Sequence, residues 1–285
     1  MTKNSFGKNI PEIKKLFKDF EIENYIRKTL ISVLNYLEIE DSESVVEFAI
    51  KEAKSYDKLE NYERKVHQLF DQKRITQGIP VKLGNRANLI FNQIKNFIQG
   101  HQILDLGCGD GKVGELIAKS NSRQVILADV YRNGNISNLE LPFVLINQKG
   151  KIPFYDNMFD TTLLLTVLHH SDNPVEVIKE AVRVTKNSGK IIVIESVYGV
   201  DKYDNLNEEQ QRLVNIFFDH FYNRVIHFSE FEENKVNVPF NFQTPQSWKK
   251  FFAEHKAIEN KMVELGFDQK VVPEYHTLHI LEVKK

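Results

Sequence analysis

A short apolar segment runs directly into three glycines at alternate positions, and this feature constrains the fold more than any other in the chain. The segment Gln102–Leu106 is followed by Gly107, Gly109 and Gly111, and a helical pattern of apolar residues begins at Val113. Glycines allow a backbone to turn sharply and allow a ligand to lie directly against it. The sequence therefore predicts a ligand-binding loop between a strand and a helix, where open α/β sheets bind nucleotides.

The charges in this loop indicate which nucleotide it binds. Asp105 precedes the first glycine by two residues, and Asp110 lies inside the turn. A pyrophosphate would be repelled by both carboxylates, whereas a cationic ligand would be attracted. Residues 109–114 also fit the weak dinucleotide pattern Gly-x-Gly-x-x-Gly, so an NAD-binding loop stays open as an alternative. A phosphate-binding loop of the Gly-Lys-Ser/Thr type is excluded because Lys112 is followed by Val113.

The stretch at 105–111, Asp-Leu-Gly-Cys-Gly-Asp-Gly, resembles the first motif of class I S-adenosylmethionine-dependent methyltransferases, Asp-x-Gly-x-Gly-x-Gly. The resemblance covers about residues 85–200 and two closing strands. It includes Leu-His-His at 168–170, which is similar to the small-molecule methyltransferase subfamily. The resemblance implies S-adenosylmethionine as cofactor and S-adenosylhomocysteine as product. The residues expected to contact the cofactor are Asp105, Gly107, Cys108, Gly109, Gly111, Asp129, Val130, Asn147, Gln148, Thr166 and Val167.

Asp129 ends the second expected strand, where the family places an acid that holds both ribose hydroxyls. A carboxylate can accept two hydrogen bonds from a diol, although a cap for the next turn is the other interpretation. After the third strand the family usually has an acid near the adenine amino group. Here Asn147 or Gln148 would supply an amide oxygen instead, which departs from that pattern.

Apolar segments alternate with helical patterns downstream of the glycines, which predicts a parallel α/β sheet covered on both faces. The resemblance adds two late strands, giving the seven-stranded, mostly parallel Rossmann-like sheet of methyltransferases. The expected strands are 102–106, 124–129, 142–146, 159–167, 190–197, 267–272 and 276–283, and the expected helices within this part are 111–119 and 173–185.

The remaining segments are expected to be mostly helical. Apolar residues recur at helical spacing over residues 10–75, with one long helical stretch at 45–72, and over 88–98, whereas Gly78 and Pro80 predict a loop at 76–83. The expected organisation is an N-terminal helical region, a lid or dimerisation element, at 1–84 and a methyltransferase domain at 85–285. An insertion at 198–262 carries thirteen aromatic residues and is predicted to form a cap over the substrate.

Histidines supply the candidate proton acceptors. His169 and His170 follow the fourth strand, and imidazole titrates near neutrality, which suits the removal of a proton from an acceptor. Within the insertion, the candidate substrate-binding residues are Tyr198, His220, Tyr222 and His227. The spacing of the histidines matches no metal-ligand signature, so no metal is assigned. The predicted reaction is methyl transfer to a small apolar or aromatic acceptor, with oxygen slightly favoured over nitrogen or carbon.

The net charge and the distribution of apolar residues limit which partners and locations are expected. The formal net charge is −1, which gives no general attraction to nucleic acid or a membrane surface. No apolar run approaches the ~20 residues of a membrane span, and no signal peptide is recognised, so a cytoplasmic location is expected. The basic stretch at 61–86 is interpreted as a solvated helix face, and the N-terminal helices could pair two subunits. Three alternatives stay open: an RNA or protein methyltransferase, a non-catalytic cofactor-binding protein, and an NAD-dependent oxidoreductase.

Overall fold

The computed structural model describes residues 12–147, 151–203, 205–231, 235–236 and 238–285. The α-helices in these residues are α1 (Ile13–Leu16), α2 (Phe20–Tyr36), α3 (Ser42–Ser55), α4 (Leu59–Gln72), α5 (Ile75–Lys82), α6 (Arg86–Ile94), α7 (Lys112–Asn121), α8 (Pro174–Val184), α9 (Glu208–His220) and α10 (Pro245–Glu254). The strands are β1 (Gln102–Leu106), β2 (Gln124–Asp129), β3 (Phe143–Leu145), β4 (Phe159–Leu165), β5 (Thr185–Ser196), β6 (Ala257–Gln269) and β7 (Val272–Val283). A π-helix occupies Phe221–Ile226.

The strands form one seven-stranded sheet, as predicted, and their order in it is β3-β2-β1-β4-β5-β7-β6. The pairs β1–β2, β1–β4, β2–β3 and β4–β5 are parallel. Two residues join β6 to β7, a connection that permits only an antiparallel pair. The order of the chain reverses between β1 and β4, which leaves a crevice at their carboxyl ends. Such a crevice is where ligands bind in sheets of this type.

The chain divides into two compact units. We call the first the helical unit; it comprises the chain up to Gly84, Ser196–Thr244 and Gly266–Tyr275. We call the second the sheet unit; it comprises Asn85–Glu195, Pro245–Leu265 and His276–Lys285. The predicted boundary after residue 84 coincides with a boundary between units. The segment predicted as an insertion, 198–262, contributes residues to both units.

Apolar packing fixes the position of the glycine loop within the sheet unit. Ile103 and Leu104 of β1 are completely buried, and Ile103 belongs to an apolar core with Ile117 of α7 and Leu127 of β2. Burying a side chain of this size stabilises a fold by roughly 1.5–3 kcal/mol. The strand before the loop and the helix after it are therefore held by the same core, so the loop between them has fixed ends.

The helical unit differs from prediction in two places. The long helical stretch predicted at 45–72 is broken at Tyr56, which is extended (φ −63°, ψ 144°), and α3 and α4 fold back on each other. Each of the two helices buries its own apolar face as a result. The loop predicted at 76–83 is wrong, because α5 spans all of these residues except Leu83, with Pro80 inside the helix. Full burial of Ile75 and Ile79 offsets the cost of the proline.

Several strand and helix limits also differ from prediction, each for a local reason. β4 ends at Leu165 because Thr166 adopts a left-handed conformation with φ 59°. β5 begins at Thr185, where a register shift in its pairing with β4 accommodates a polar start. β6 begins at Ala257, inside the predicted insertion; it is a half-exposed edge strand whose charged residues obscure its pattern. The helix predicted at 88–98 is α6, Arg86–Ile94.

Among the described residues, no helix is both long enough and apolar enough to span a membrane.

Candidate functional site

The three glycines adopt backbone conformations that residues with a side chain rarely adopt. The space around them differs from one glycine to the next. All three have positive φ: 79° at Gly107, 55° at Gly109 and 76° at Gly111. A Cβ on Gly107 would lie 2.5 Å from Val167 Cγ2, and one on Gly111 would lie 2.6 Å from Leu139 Cδ1. A Cβ on Gly109 would meet nothing within 4 Å. The outer glycines therefore permit close packing, whereas the middle glycine faces open space in which a ligand can approach the backbone.

Asp129 at the end of β2 is tied to this loop. Its Oδ2 accepts a hydrogen bond from the Gly109 N–H at 2.9 Å, and its Oδ1 accepts one from the Tyr131 N–H at 3.3 Å. The carboxyl group is partly buried, and burial raises its pKa, while the N–H of Gly109 opposes that shift. Each carboxylate oxygen has a second lone pair, so Asp129 can also accept hydrogen bonds from a ligand diol beside Gly109.

Apolar side chains are exposed beside Asp129, at the carboxyl ends of β2 and β3. Val130 and Tyr131 follow β2, and Leu145 ends β3; they are 44%, 56% and 62% exposed. Asn147, two residues beyond β3, is also exposed. An apolar surface next to an amide group suits a flat heterocycle such as adenine. Gln148, predicted to share the role of Asn147, lies outside the described residues.

Asp105 is a buried carboxyl group beneath the glycine loop. It is 1% exposed, and its Oδ2 has no hydrogen-bond partner among the described residues. Burial, followed by the negative charge of Asp129 and then that of Asp110, raises its pKa to about 7. A cation bound at the loop would relieve this repulsion. The three carboxyl groups at the loop therefore fit a ligand that is positively charged and do not fit a pyrophosphate.

The segment after β4 is organised by Glu195, the penultimate residue of β5. Glu195 Oε1 accepts hydrogen bonds from the N–H groups of Val167 (3.0 Å) and Leu168 (2.7 Å). Its Oε2 accepts from the His169 N–H at 3.3 Å and lies 2.5 Å from the His169 Nδ1. Thr166 donates its N–H to the Ile194 carbonyl at 2.7 Å. One buried carboxylate thus holds three consecutive residues of the loop, and Val167 in turn packs against Gly107.

The two candidate histidines have different environments. His169 is 2% exposed and is bound to Glu195, whereas His170 is partly exposed. Their ring centroids lie 4.1 Å apart, so His169 is in contact with its neighbour. A histidine held by a buried carboxylate has a fixed ring orientation. Of the two, His170 is the one accessible to a ligand.

The four candidate substrate-binding residues all lie in the helical unit. Tyr198 is half-buried, and burial raises its pKa. His220 ends α9, and Tyr222 lies in the π-helix that follows; both are buried. His227, just beyond the π-helix, is exposed. His220 and Tyr222 are therefore interior groups, and a short π-helix of this kind often marks a functional site.

His220 is one half of a buried pair with Glu63 of α4. Its Nε2 donates to Glu63 Oε1 at 2.8 Å, and the Arg224 Nε lies 3.7 Å from the same oxygen. The Tyr62 ring stacks on the imidazole, with centroids 6.0 Å apart and planes 15° apart. Three buried atoms of this region have no hydrogen-bond partner among the described residues: His220 Nδ1, Tyr62 Oη and Tyr222 Oη. Each such atom costs about 1–3 kcal/mol when nothing binds it.

Two residues of these sites, Glu195 and Glu63, were not predicted from the sequence. Both carry a signal that could have been used. Glu195 is an acid directly after four apolar strand residues, and Glu63 lies three residues before Val66 and seven before Phe70, on the buried face of α4. Charged side chains are rarely buried unless they are paired, so an acid at an interior position indicates a specific partner. The partners, an imidazole in each case, could only be identified in the folded structure.

Residues 104–193 match the family model described as a methyltransferase domain. This segment contains the glycine loop, Asp129 and the loop after β4. The match supports an enzyme that uses S-adenosylmethionine and a class I methyltransferase fold, as the sequence predicts. The matched segment is about a third of the chain, and the whole of the helical unit lies outside it.

Individual relatives are similar over limited segments. An uncharacterised protein of Methanocaldococcus jannaschii is 46% identical over 50 residues, which are 18% of this chain and 24% of that protein. A tRNA U34 carboxymethyltransferase of Nautilia profundicola is 25% identical over 147 residues, which cover 47% of this chain and 48% of the relative. The chain thus spans less than half the length of the curated relatives that it matches.

Among solved structures, a geranyl diphosphate C-methyltransferase from Streptomyces coelicolor has the same fold. That protein was determined in complex with Mg²⁺, geranyl diphosphate and S-adenosylhomocysteine. The two chains superpose with a TM-score of 0.52 at 11% identity, over 74% of this chain and 82% of the other. At that identity the similarity establishes the fold and carries no information about the acceptor.

Proposed function

We propose that the protein transfers a methyl group from S-adenosylmethionine to a small, apolar or aromatic acceptor, with oxygen as the favoured acceptor atom. The observation that carries the cofactor assignment is the pairing of an open glycine, Gly109, with the buried carboxyl of Asp105 beneath the same loop. The glycine admits an adenosyl ligand, and the carboxyl favours a cationic one. S-adenosylmethionine combines both properties, since it carries a sulfonium and an ammonium group on adenosine.

In this proposal, residues at the ends of different strands contact different parts of the cofactor. Asp105 and the loop at 107–111, which includes Cys108, would bind the methionine portion, because the charge lies there. Asp129 would accept the ribose hydroxyls. Val130 and Asn147 would contact the adenine. The loop at 166–167, with its conformation fixed by Glu195, would lie beside the methyl group, since Val167 packs against Gly107.

When bound, the cofactor supplies the electrophilic methyl group, so the task of the protein is alignment, exclusion of water and proton removal. We assign the proton-accepting role to His170, which is the partly exposed member of the pair. His169 acts through it as a positioning residue, held by Glu195 and in contact with the His170 ring. Removal of a proton by a positioned base contributes about 10²–10⁴-fold to a rate.

The helical unit is proposed to bind the acceptor, through Tyr198, His220, Tyr222 and His227. Its interior combines aromatic rings with buried polar atoms, and Phe217 and Phe221 stack at 5.6 Å. Such an interior suits an aromatic molecule better than a nucleic acid, whose phosphates need cations. Two cations of the basic stretch are engaged by acids: Lys65 pairs with Glu52 at 3.0 Å, and Arg64 lies 3.7 Å from Glu230.

Calorimetry with S-adenosylhomocysteine and with NAD tests the cofactor assignment. Binding of S-adenosylhomocysteine without binding of NAD is the expected result, and the opposite pattern would replace methyl transfer by hydride transfer. Turnover with radiolabelled S-adenosylmethionine is then measured against a phenol library and against total tRNA. Label in tRNA alone would establish the RNA methyltransferase instead. Binding without any turnover would favour the non-catalytic alternative.

A further inference from the structure

We propose that Glu63, His220 and Tyr62 form a binding site for an aromatic ligand that carries a hydroxyl group. The site lies entirely within the helical unit. The inference deepens the proposed function, since the ligand would be the methyl acceptor or part of it, and it rests on that function for this identification. The hydrogen bonding, charge and stacking of the three residues support this assignment.

The hydrogen bond between His220 and Glu63 determines what His220 can bind. The Glu63 carboxylate, 2.8 Å away, accepts the proton of Nε2, and in the neutral form of the ring this leaves Nδ1 as an acceptor with a free lone pair. That Nδ1 is buried and has no partner among the described residues. A ligand O–H or N–H is the group that satisfies it. A carbonyl or ether oxygen, which only accepts, does not.

Charge compensation keeps the pair suited to a neutral ligand. The Arg224 Nε lies 3.7 Å from the same Glu63 oxygen that binds His220. The negative charge of Glu63 therefore has a cationic neighbour within the unit and needs no cation from the ligand. A neutral hydroxyl on an apolar body is the class of ligand that adds a hydrogen bond here without adding a buried charge.

The surrounding rings indicate the apolar body. Tyr56, Tyr62 and His220 form a continuous stack, with centroid separations of 5.9 and 6.0 Å and interplanar angles of 26° and 15°. The Tyr62 hydroxyl is a second buried polar atom without a partner among the described residues, at the edge of a ring in that stack. Stacked rings favour a planar aromatic partner, and two unsatisfied polar atoms favour one with a hydroxyl.

Phenol and anisole are matched probes for this site, because anisole carries a methyl group in place of the hydroxyl hydrogen that His220 would bind. We expect the full-length protein to bind phenol about tenfold or more tightly than anisole, the factor that corresponds to one hydrogen bond of ~1.4 kcal/mol. In protein labelled with ¹⁵N-histidine, phenol should shift the Nδ1 resonance of His220 and anisole should not. Equal affinities, or no phenol binding at all, would overturn the proposal and leave a buried water as the partner of Nδ1.

Substitutions distinguish a loss of phenol binding from a loss of folding. The double variant Glu63→Leu/His220→Phe removes the carboxylate together with its imidazole partner. It leaves Arg224 without this acid, but the Arg224 side chain is 23% exposed and can be hydrated, and the variant should lose the preference for phenol. Tyr62→Phe keeps the ring and should weaken phenol binding while the His220 shift persists, a result available even if the double variant does not fold. His67→Phe is the matched control, because the His67 Nδ1 already donates to the Val225 carbonyl at 2.8 Å. It should keep the preference, and its loss in this variant would contradict the assignment to His220.

The phenol-binding test of the His220 site does not depend on whether the protein binds the cofactor. Phenol binding at His220 without S-adenosylhomocysteine binding would leave this site in place and refute methyl transfer. S-adenosylhomocysteine binding without a preference for phenol would refute this site alone.

Discussion

Replacing Asp105 by Asn is expected to stabilise the ligand-free protein, and more strongly at high pH. Asp105 is almost completely buried, and burial, followed by the charges of Asp129 and Asp110, raises its pKa to about 7. Asn has nearly the same shape and no charge. The substitution therefore removes the cost of ionising a carboxyl group in apolar surroundings and changes little in the packing beneath the glycine loop.

The size of the effect follows from the two pKa values of the carboxyl group. The folded protein holds the Asp105 proton more tightly than the unfolded chain, where the ordinary value is 3.8. Stability is therefore lost as the pH rises from about 4 through about 7 and is not recovered above that. One pKa unit corresponds to ~1.4 kcal/mol, so Asp105→Asn should gain about 2 kcal/mol at pH 5 and about 4 kcal/mol at pH 8.

Urea denaturation at pH 5 and pH 8 measures this difference. Asp110→Asn is the control, because the Asp110 side chain is 38% exposed and lies 3.0 Å from the Lys112 Nζ. Its effect should stay within about 0.5 kcal/mol at either pH. A gain in the Asp105 variant that is equal at the two pH values, or absent at pH 8, would refute the reasoning. The same variant should bind S-adenosylmethionine more weakly than the unaltered protein, since the charge that destabilises the fold is the one proposed to attract the ligand.

Three further substitutions test other contacts of the site. Gly107→Ala should lower the free energy of unfolding, measured by urea denaturation, by about 2 kcal/mol or more, because its Cβ would lie 2.5 Å from Val167 Cγ2 at a φ of 79°. Gly134→Ala is the control; it has open space around its Cβ and should lower the same free energy by less than about 1 kcal/mol. Asp129→Ala should weaken S-adenosylhomocysteine binding about tenfold or more in calorimetry with an unchanged circular dichroism spectrum, and an unchanged affinity would remove Asp129 from the ribose site. Glu195→Ala should destabilise the protein by about 3–5 kcal/mol, because three N–H groups and an imidazole lose their acceptor. Glu195→Gln keeps an acceptor oxygen and should destabilise the protein clearly less. Similar losses of stability in both variants would contradict the role given to those hydrogen bonds.

The sequence predicted the sheet well where apolar strands are flanked by glycines or acids. β1 and β2 have the predicted limits because each is a buried run with a clear end, at Gly107 and at Asp129. Prediction was poorer where tertiary burial overrides local preference. α5 forms despite Pro80 because two isoleucines are fully buried, and the charged edge strand β6 forms because β7 provides a partner for its backbone.

The sequence by itself determined the cofactor class that is proposed here, because the glycines and carboxylates that define it lie within seven consecutive residues, 105–111. Local chemistry of this kind is visible without a fold. The tertiary structure alone decided which histidine is buried and which is accessible, since Glu195 lies 26 residues from His169. It alone also paired Glu63 with His220, 157 residues apart. Partners so distant along the chain meet only through the packing of strands and helices, and a pattern of neighbouring residues does not record them.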